Sequence, residues 1–363
     1  MPRVEIPEVA GVLSAAGLFK GMARLVVILG HGSGSLNNPH ESAHDCGACG
    51  GRRGGPNARI FAAMANHPEV RLELKRRGIQ IPEDTWFVGG MHDTSSDAVD
   101  LFDLEDVPNT HVRDLARIRE LLDKARARNA RERARRFEGG DRLDVPGGLR
   151  HVQERAEHLA EARPEYGHCT NAVCILGRRE WTRGLFLDRR AFLVSYDPAQ
   201  DPTGTALAAQ LGAVVPVCGG ISLEYYFSRV DNEGYGCGTK LPHNVTGLVG
   251  VMNGYEGDLR TGLPWQMVEI HEPVRILFVI EDTPQRIEST FRANPTIWEF
   301  LNNDWIRVAA VNASNGNMDV YRNGTWEPLE GGDEPLGTAT TSQEWYSGRM
   351  EHLGLARIEA AKL

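Results

Sequence analysis

Cysteine is scarce in this chain: six among 363 residues, two of them in the run "CGAC" and the rest scattered. That usage excludes the disulfide framework of a small secreted domain and fits a reducing compartment, so the chain reads as intracellular. A basic excess is lacking too. Lys+Arg number 40 against 49 Asp+Glu, and a formal charge of -9 argues against a protein built to coat nucleic acid. Long apolar runs are missing: "LVVILG" and "ILFVI" have strand length, and no stretch reads as the eighteen or so consecutive apolar residues of a membrane helix. The first residues, "MPRVEIPEVAGVLSAAGLFKGMARL", carry Glu5, Glu8 and Lys20, which disagrees with a signal or transit peptide. No internal repeat and no low-complexity tract is present.

What is there is an ordinary globular composition, 41% hydrophobic and 25% charged, long enough for one large core or two moderate ones. Short apolar runs rich in Val, Ile, Leu and Phe predict strands at Leu25 to Gly30, Thr85 to Gly89, Ala172 to Leu176, Ala191 to Ser195, Ala213 to Val217, Arg275 to Ile280 and Arg307 to Val311. Helices are predicted over Val9 to Leu18, Ala58 to Ala65, Thr203 to Leu211 and Pro284 to Phe291. Strands without polar alternation, separated by helices, point to an α/β fold with a mostly parallel sheet covered by helices. Residues 101–170 break the rhythm. Val112, Leu115, Ile118, Leu121 and Leu122 fall at helical spacing, and ten Lys/Arg face four Asp/Glu between Arg113 and Arg136. This basic helical insertion reads either as a solvated face or as a surface that docks on a partner or an anionic membrane. The expected organisation is therefore an α/β segment over 1–100, the insertion over 101–170, a second α/β segment over 171–345 with a long glycine-rich loop at 229–266, and a C-terminal helix over 346–363.

Chemistry concentrates in "HGSGSLNNPHESAHDCGACGG", His31 to Gly51, which follows the first apolar run and holds three His, one Asp and two Cys. A residue delivered to the carboxyl end of a strand in an open α/β sheet stands where ligands bind. Imidazole and thiolate suit a borderline-soft ion such as zinc, which makes His31, Cys46 and Cys49 candidate ligands. The bland alternatives are a hydrogen-bonded structural histidine and ordinary thiols, and the competing chemistry is a Cys-His nucleophilic pair in a thiol hydrolase. Beyond the cluster, "GACGGRRGGPN" offers converging backbone N–H groups, Arg52, Arg53 and a helix start, a candidate anion cradle or simply a tight turn. His92 and Asp93 follow the second predicted strand, where Asp93 or Asp97 could orient a ligand. His243 and His271 read as hydrogen-bonded structural residues, and Cys169, Cys174, Cys218 and Cys237 as ordinary thiols.

Several long motifs in one order carry a resemblance: the cluster itself, then "GGMHDTSSD", "RPEYG", "FLVSYDPAQDPTG", "ISLEYYFSRVDNEGYGCGTKLPHNVTGLVGVMNGYEGDLRTGLPWQ" and "HEPVRILFVIE". Together they resemble the C-terminal half of the DabA-type inorganic carbon transporter subunits, whose zinc site is similar to that of β-type carbonic anhydrases. The resemblance implies a β-carbonic-anhydrase-like core and zinc held by two Cys, one His and one Asp, of which His31 and Cys46 match the His and the second Cys. It leaves Asp45, Cys49 and Asp93 as supporting residues and implies no catalytic group beyond a zinc-bound water that converts CO2 to bicarbonate. The other two ligands come in that family from a Cys-x-Asp-x-Arg motif, which does not occur in this sequence. Half a site is therefore expected, with weak or no stable zinc binding by these residues alone. The implied partners are a polytopic membrane subunit, CO2 and bicarbonate, and an N-terminal half on a separate chain or in a longer protein; the implied location is peripheral, on the cytoplasmic face of the membrane. A thiol hydrolase and an inactive fragment remain the alternatives.

Overall fold

The structure is a computed structural model and describes residues 2–36, 45, 49–158, 161, 163–231, 234, 251–253, 256–260, 270, 272–332 and 334–359. They divide into two compact units, one within Met1–Gly167 and one drawn from His168–Thr239 and Val251–Leu363.

In the first unit, helix α1 (Pro2–Ala15) leads to strand β1 (Leu25–Gly32), helices α2 (Gly55–Asn66) and α3 (Pro68–Arg76), strands β2 (Trp86–Asp93) and β3 (Val99–Leu101), and helices α4 (Val112–Ala134) and α5 (Val145–Ala156). β1 and β2 pair in parallel from Leu25 opposite Trp86 to Gly32 opposite Asp93, and β3 adds antiparallel to β2. Val9, Leu13, Phe61, Ala65, Val70, Leu74 and Phe87 form one apolar cluster, so the helical faces of α1, α2 and α3 close over β2. Full burial of each larger side chain stabilises by about 1.5–3 kcal/mol. The basic helix is α4, but the arginines at its end and just beyond it turn inward. Arg131, Arg133 and Arg135 are buried, and Arg131 donates to the carbonyls of Gly140 and Asp141 at 3.3 and 2.8 Å. A solvated or docking face is thus confined to the stretch where Arg113, Arg117, Arg119, Lys124 and Arg128 are exposed.

The second unit contains β4 (Val173–Gly177), β5 (Leu185–Phe186), β6 (Ala191–Ser195), α6 (Thr205–Val214), a π turn (Val215–Gly219), α7 (Gly220–Val230), β7 (Val251–Asn253), β8 (Glu256–Arg260), β9 (Leu277–Ile280), α8 (Pro284–Ala293), α9 (Pro295–Asn302), β10 (Arg307–Val311), β11 (Met318–Arg322), β12 (Thr325–Pro328), β13 (Gly337–Ala339), α10 (Ser342–Tyr346) and β14 (Ala356–Ile358). Its main sheet has the order β12-β11-β10-β9-β4-β6, parallel from β6 to β10, with β11 and β12 antiparallel. The β11–β12 turn is Asn323-Gly324, both at positive φ, the pair that a tight hairpin favours. The fold is α/β, with the parallel strands grouped in the middle of the larger sheet.

Two sequence expectations are corrected here. Ala213 to Val217 is not a strand: it lies in the end of α6 and the π turn, within a continuous helical segment from Thr205 to Phe227. Leu207, Leu211, Val215 and Cys218 are all buried in one cluster, a helical spacing that overrides the β-branched run "VVPV". Pro216 lacks the N–H for an ordinary helical bond, and the wider π turn accommodates it. The resulting 23-residue segment, with mean hydropathy 1.7 in its most apolar window, is by length and composition alone long enough to cross a membrane. The second correction is at the end of the chain. Instead of a helix over 346–363, α10 ends at Tyr346, and β14 pairs with β13 and β5 while Leu353 and Ala356 pack on Phe186 and Tyr346. The loop at 229–266 lies mostly outside the described residues, as do His243 and His271; β7 and β8 within it form an antiparallel pair.

Candidate functional site

The two parallel strands of the first unit end side by side, with His31 opposite His92 and Gly32 opposite Asp93. This is the carboxyl edge of the sheet, and His31 stands exposed on it. The chain after β1 returns to its own start at two points. Asp45, itself buried, accepts the Ser33 N–H at 2.7 Å, and the Gly54 N–H donates to the His31 carbonyl at 2.7 Å. Gly30 makes the second contact feasible: a Cβ there would lie 2.2 Å from the Gly54 carbonyl carbon, so only glycine lets α2 start against the strand. The Arg53 side chain passes over Gly32, and the Cys49 Sγ accepts from Asn57 Nδ2 at 3.1 Å at the start of α2. Arg52 and Arg53 are both exposed beside this edge. Cys46, His40 and His44 lie outside the described residues.

Below the strand ends is a floor of paired charges. Glu165, 5% exposed, accepts from Ser33 Oγ at 2.7 Å and Thr94 Oγ1 at 3.3 Å and forms an ion pair with Arg163. Asp97, fully buried and held at a φ of 59°, accepts from Asn129 Nδ2 at 2.8 Å, from Arg133 Nη2 at 2.6 Å and from the His92 ring at 2.9 Å. Arg133 also donates to the carbonyls of Thr94 and Ser95, and Tyr166 donates to the Arg133 carbonyl at 2.6 Å. Each buried carboxylate thus meets a buried guanidinium, which removes the cost of an isolated charge. Burial acts to raise the Asp93 carboxyl, but hydrogen bonds from Ser95 and Ser96 outweigh it and hold it below the ordinary aspartate value.

These contacts decide what the described residues can offer a metal. The Asp45 carboxylate is committed to Ser33 and that of Asp93 to Ser95 and Ser96, so both support the loop geometry. Among the described residues, no group of three or more His, Cys, Asp or Glu is arranged to hold an ion. His31 is an exposed imidazole at the edge, and its donor chemistry fits zinc as part of a set. Ser33, Thr94, Asn129, Arg133, Arg163 and Glu165 are the supporting residues that sequence reasoning missed. Only "RPEYG" drew attention to Arg163 and Glu165, and nothing local links Ser33 to a carboxylate 132 positions away.

Comparison with known proteins gives the family. The family model described as "Probable inorganic carbon transporter subunit DabA" matches residues 3–306. A Sorangium cellulosum protein named "Probable inorganic carbon transporter subunit DabA 2" is 52% identical over 354 residues, covering 97% of this chain and 35% of the relative. A Methylococcus capsulatus protein named "Probable inorganic carbon transporter subunit DabA" is 48% identical over 353 residues, covering 97% and 33%. In Azotobacter vinelandii a protein of that name is 46% identical over 344 residues, covering 94% and 41%. The chain therefore spans about a third to two fifths of the length of these relatives. No solved structure matches it. On a family match across most of its residues, the chain belongs to the DabA family of probable inorganic carbon transporter subunits.

Proposed function

We propose that these residues supply half of a zinc site in an inorganic carbon transporter subunit, with His31 and Cys46 as two of four ligands. The observation that carries the reading is the closure of the loop on the strand end: Asp45, next in sequence to Cys46, is tied to Ser33, two residues beyond His31. The remaining Cys and Asp come from a Cys-x-Asp-x-Arg stretch outside these 363 residues, in keeping with relatives about three times as long. When bound, zinc supplies a Lewis acid that lets water lose a proton near neutral pH, the activation that CO2 hydration needs. This chain's own residues do the rest. Glu165 and Asp45 hold Ser33 so that His31 presents its ring at the edge, and the Asp97–His92 pair fixes the adjacent strand end. Arg52 and Arg53, exposed beside His31, attract the anionic product. A polytopic membrane subunit that couples the chemistry to transport completes the assembly, and this subunit lies peripherally on the cytoplasmic face of the membrane.

In the longer protein, His31→Ala and Cys46→Ala should each abolish bound zinc and inorganic carbon uptake by cells, while Cys49→Ser keeps both. Full uptake by Cys46→Ala would remove it as a ligand. Zinc-independent alkylation of Cys46 at an unusually low pH, with ester hydrolysis, would favour a thiol hydrolase instead.

A further inference from the structure

Strand β1 is paired on one side only. Among the described residues its partner is β2, and the order of that sheet is β1-β2-β3, so β1 stands at the edge. The carbonyls of Arg24 and Gly32 accept from the N–H groups of Trp86 and Thr94, at 2.8 Å each. A strand residue sends its N–H and C=O to the same side, and that side alternates along the chain. Even positions of β1 therefore face β2. Leu25, Val27 and Leu29 turn both groups to the open side, where no backbone partner meets them among the described residues. At His31 that side is closed, because its carbonyl takes the Gly54 N–H at 2.7 Å. The composition of this edge is that of an interior strand. "LVVIL" has no polar alternation, the pattern of parallel strands with neighbours, and it lacks the lysine, proline or bulge that ordinarily blunts an edge. Exposure follows the pairing: Phe87 and Val88 on β2 are 1% and 2% exposed, whereas Leu29 on β1 is 42% exposed.

We propose, resting on the half-site reading, that the open side of β1 takes a parallel strand from the protein outside these 363 residues, a strand whose carboxyl end leads into the missing ligands. The β2 side has no ligand to spare. His92 is tied to Asp97 at 2.9 Å, and the Asp93 carboxylate is committed to Ser95 and Ser96. The remaining approach to His31 along the sheet is the open one. Parallel pairing continues the arrangement of β1 with β2 and suits an apolar run without alternation. It also brings the new strand to its carboxyl end beside His31, about 4.8 Å away across the ladder. An ion held at about 2.0 Å from an imidazole nitrogen and about 2.3 Å from a sulfur bridges such a gap. The Gly54 contact sets where the pairing stops, so the added strand ends level with His31 and its chain turns there toward the ion. The Sorangium relative, of which the matched part is 35%, has the length to supply the strand.

The test compares backbone hydrogen exchange in the 363-residue chain with that in the longer protein, resolved to single residues by mass spectrometry with electron-transfer fragmentation, and measures zinc on the same samples. In the chain alone, the amides of Leu25, Val27 and Leu29 should exchange fast and those of Val26 and Ile28 slowly. In the longer protein the first three should slow by on the order of a hundredfold or more, while the other two change little. Zinc retained by the longer protein with Leu25, Val27 and Leu29 still fast would overturn the edge pairing and leave the half-site reading standing. Slow exchange at those three without any zinc would bear out the pairing and overturn the half-site. Protection of the same amides in the chain alone, lost on dilution, would assign the edge to a second copy of the chain and overturn the proposal.

Discussion

Asp97 is the residue on which the floor of the candidate site turns, since it joins His92, Asn129 and Arg133. Asp97→Ala leaves the Arg133 guanidinium buried without its carboxylate, and a loss of about 3–5 kcal/mol is expected in urea unfolding. A change under roughly 1 kcal/mol would mean that the pair is not sealed from solvent. Asp93 makes a prediction in pH. Its folded value lies below the unfolded one, so its contribution is present above the unfolded value and fades as pH falls through the folded one. Wild type should therefore exceed Asp93→Asn in Tm at neutral pH, with the gap closing below about pH 4; a gap constant down to pH 2 would contradict it. At this scale the sequence was informative in one direction only. The place of His31 was legible because an apolar run ending in glycine marks a strand end. The pairs Ser33–Glu165 and Asp97–Arg133 were not, because side chains 132 and 36 positions apart leave no periodic trace.

Among the elements, the match between strand expectation and structure is best where an apolar run is short and bounded, as at Ala191–Ser195 and Arg307–Val311, each a strand over those residues. It fails at Ala213 to Val217, where local β propensity competes with helical spacing and tertiary burial prevails. The spacing of Leu207, Leu211, Val215 and Cys218 was available as a signal and was masked by the proline. Leu211→Ala, at the centre of that face, should cost about 2–5 kcal/mol, read as a lower unfolding midpoint of the second unit. The corresponding feature of the first unit is the contact of β1 with the start of α2. Gly30→Ala places a methyl against the Gly54 backbone, where no side chain can rotate away, and should destabilise by about 1–3 kcal/mol. A stable Gly30→Ala chain would show that α2 can retreat from the strand.

For the molecule as a whole, the proposed half-site is in keeping with a chain that spans about a third of the length of the DabA relative it matches. The α/β class followed from unalternated strands between helices, and the family followed from motifs spread along nearly the full length. The approach of His168 to Cys218 in the second unit had no counterpart in the sequence, where the two are 50 positions apart and the thiol reads as ordinary. The zinc account rests on two ligands from this chain and two from elsewhere, and its most direct test is the metal content of the 363-residue chain. After purification and dialysis against a mild chelator, the chain alone should retain far less than one zinc; joined to a segment carrying the Cys-x-Asp-x-Arg motif, it should retain one, lost again in His31→Ala. One tightly held zinc in the chain alone would contradict the half-site and place all the ligands within these residues.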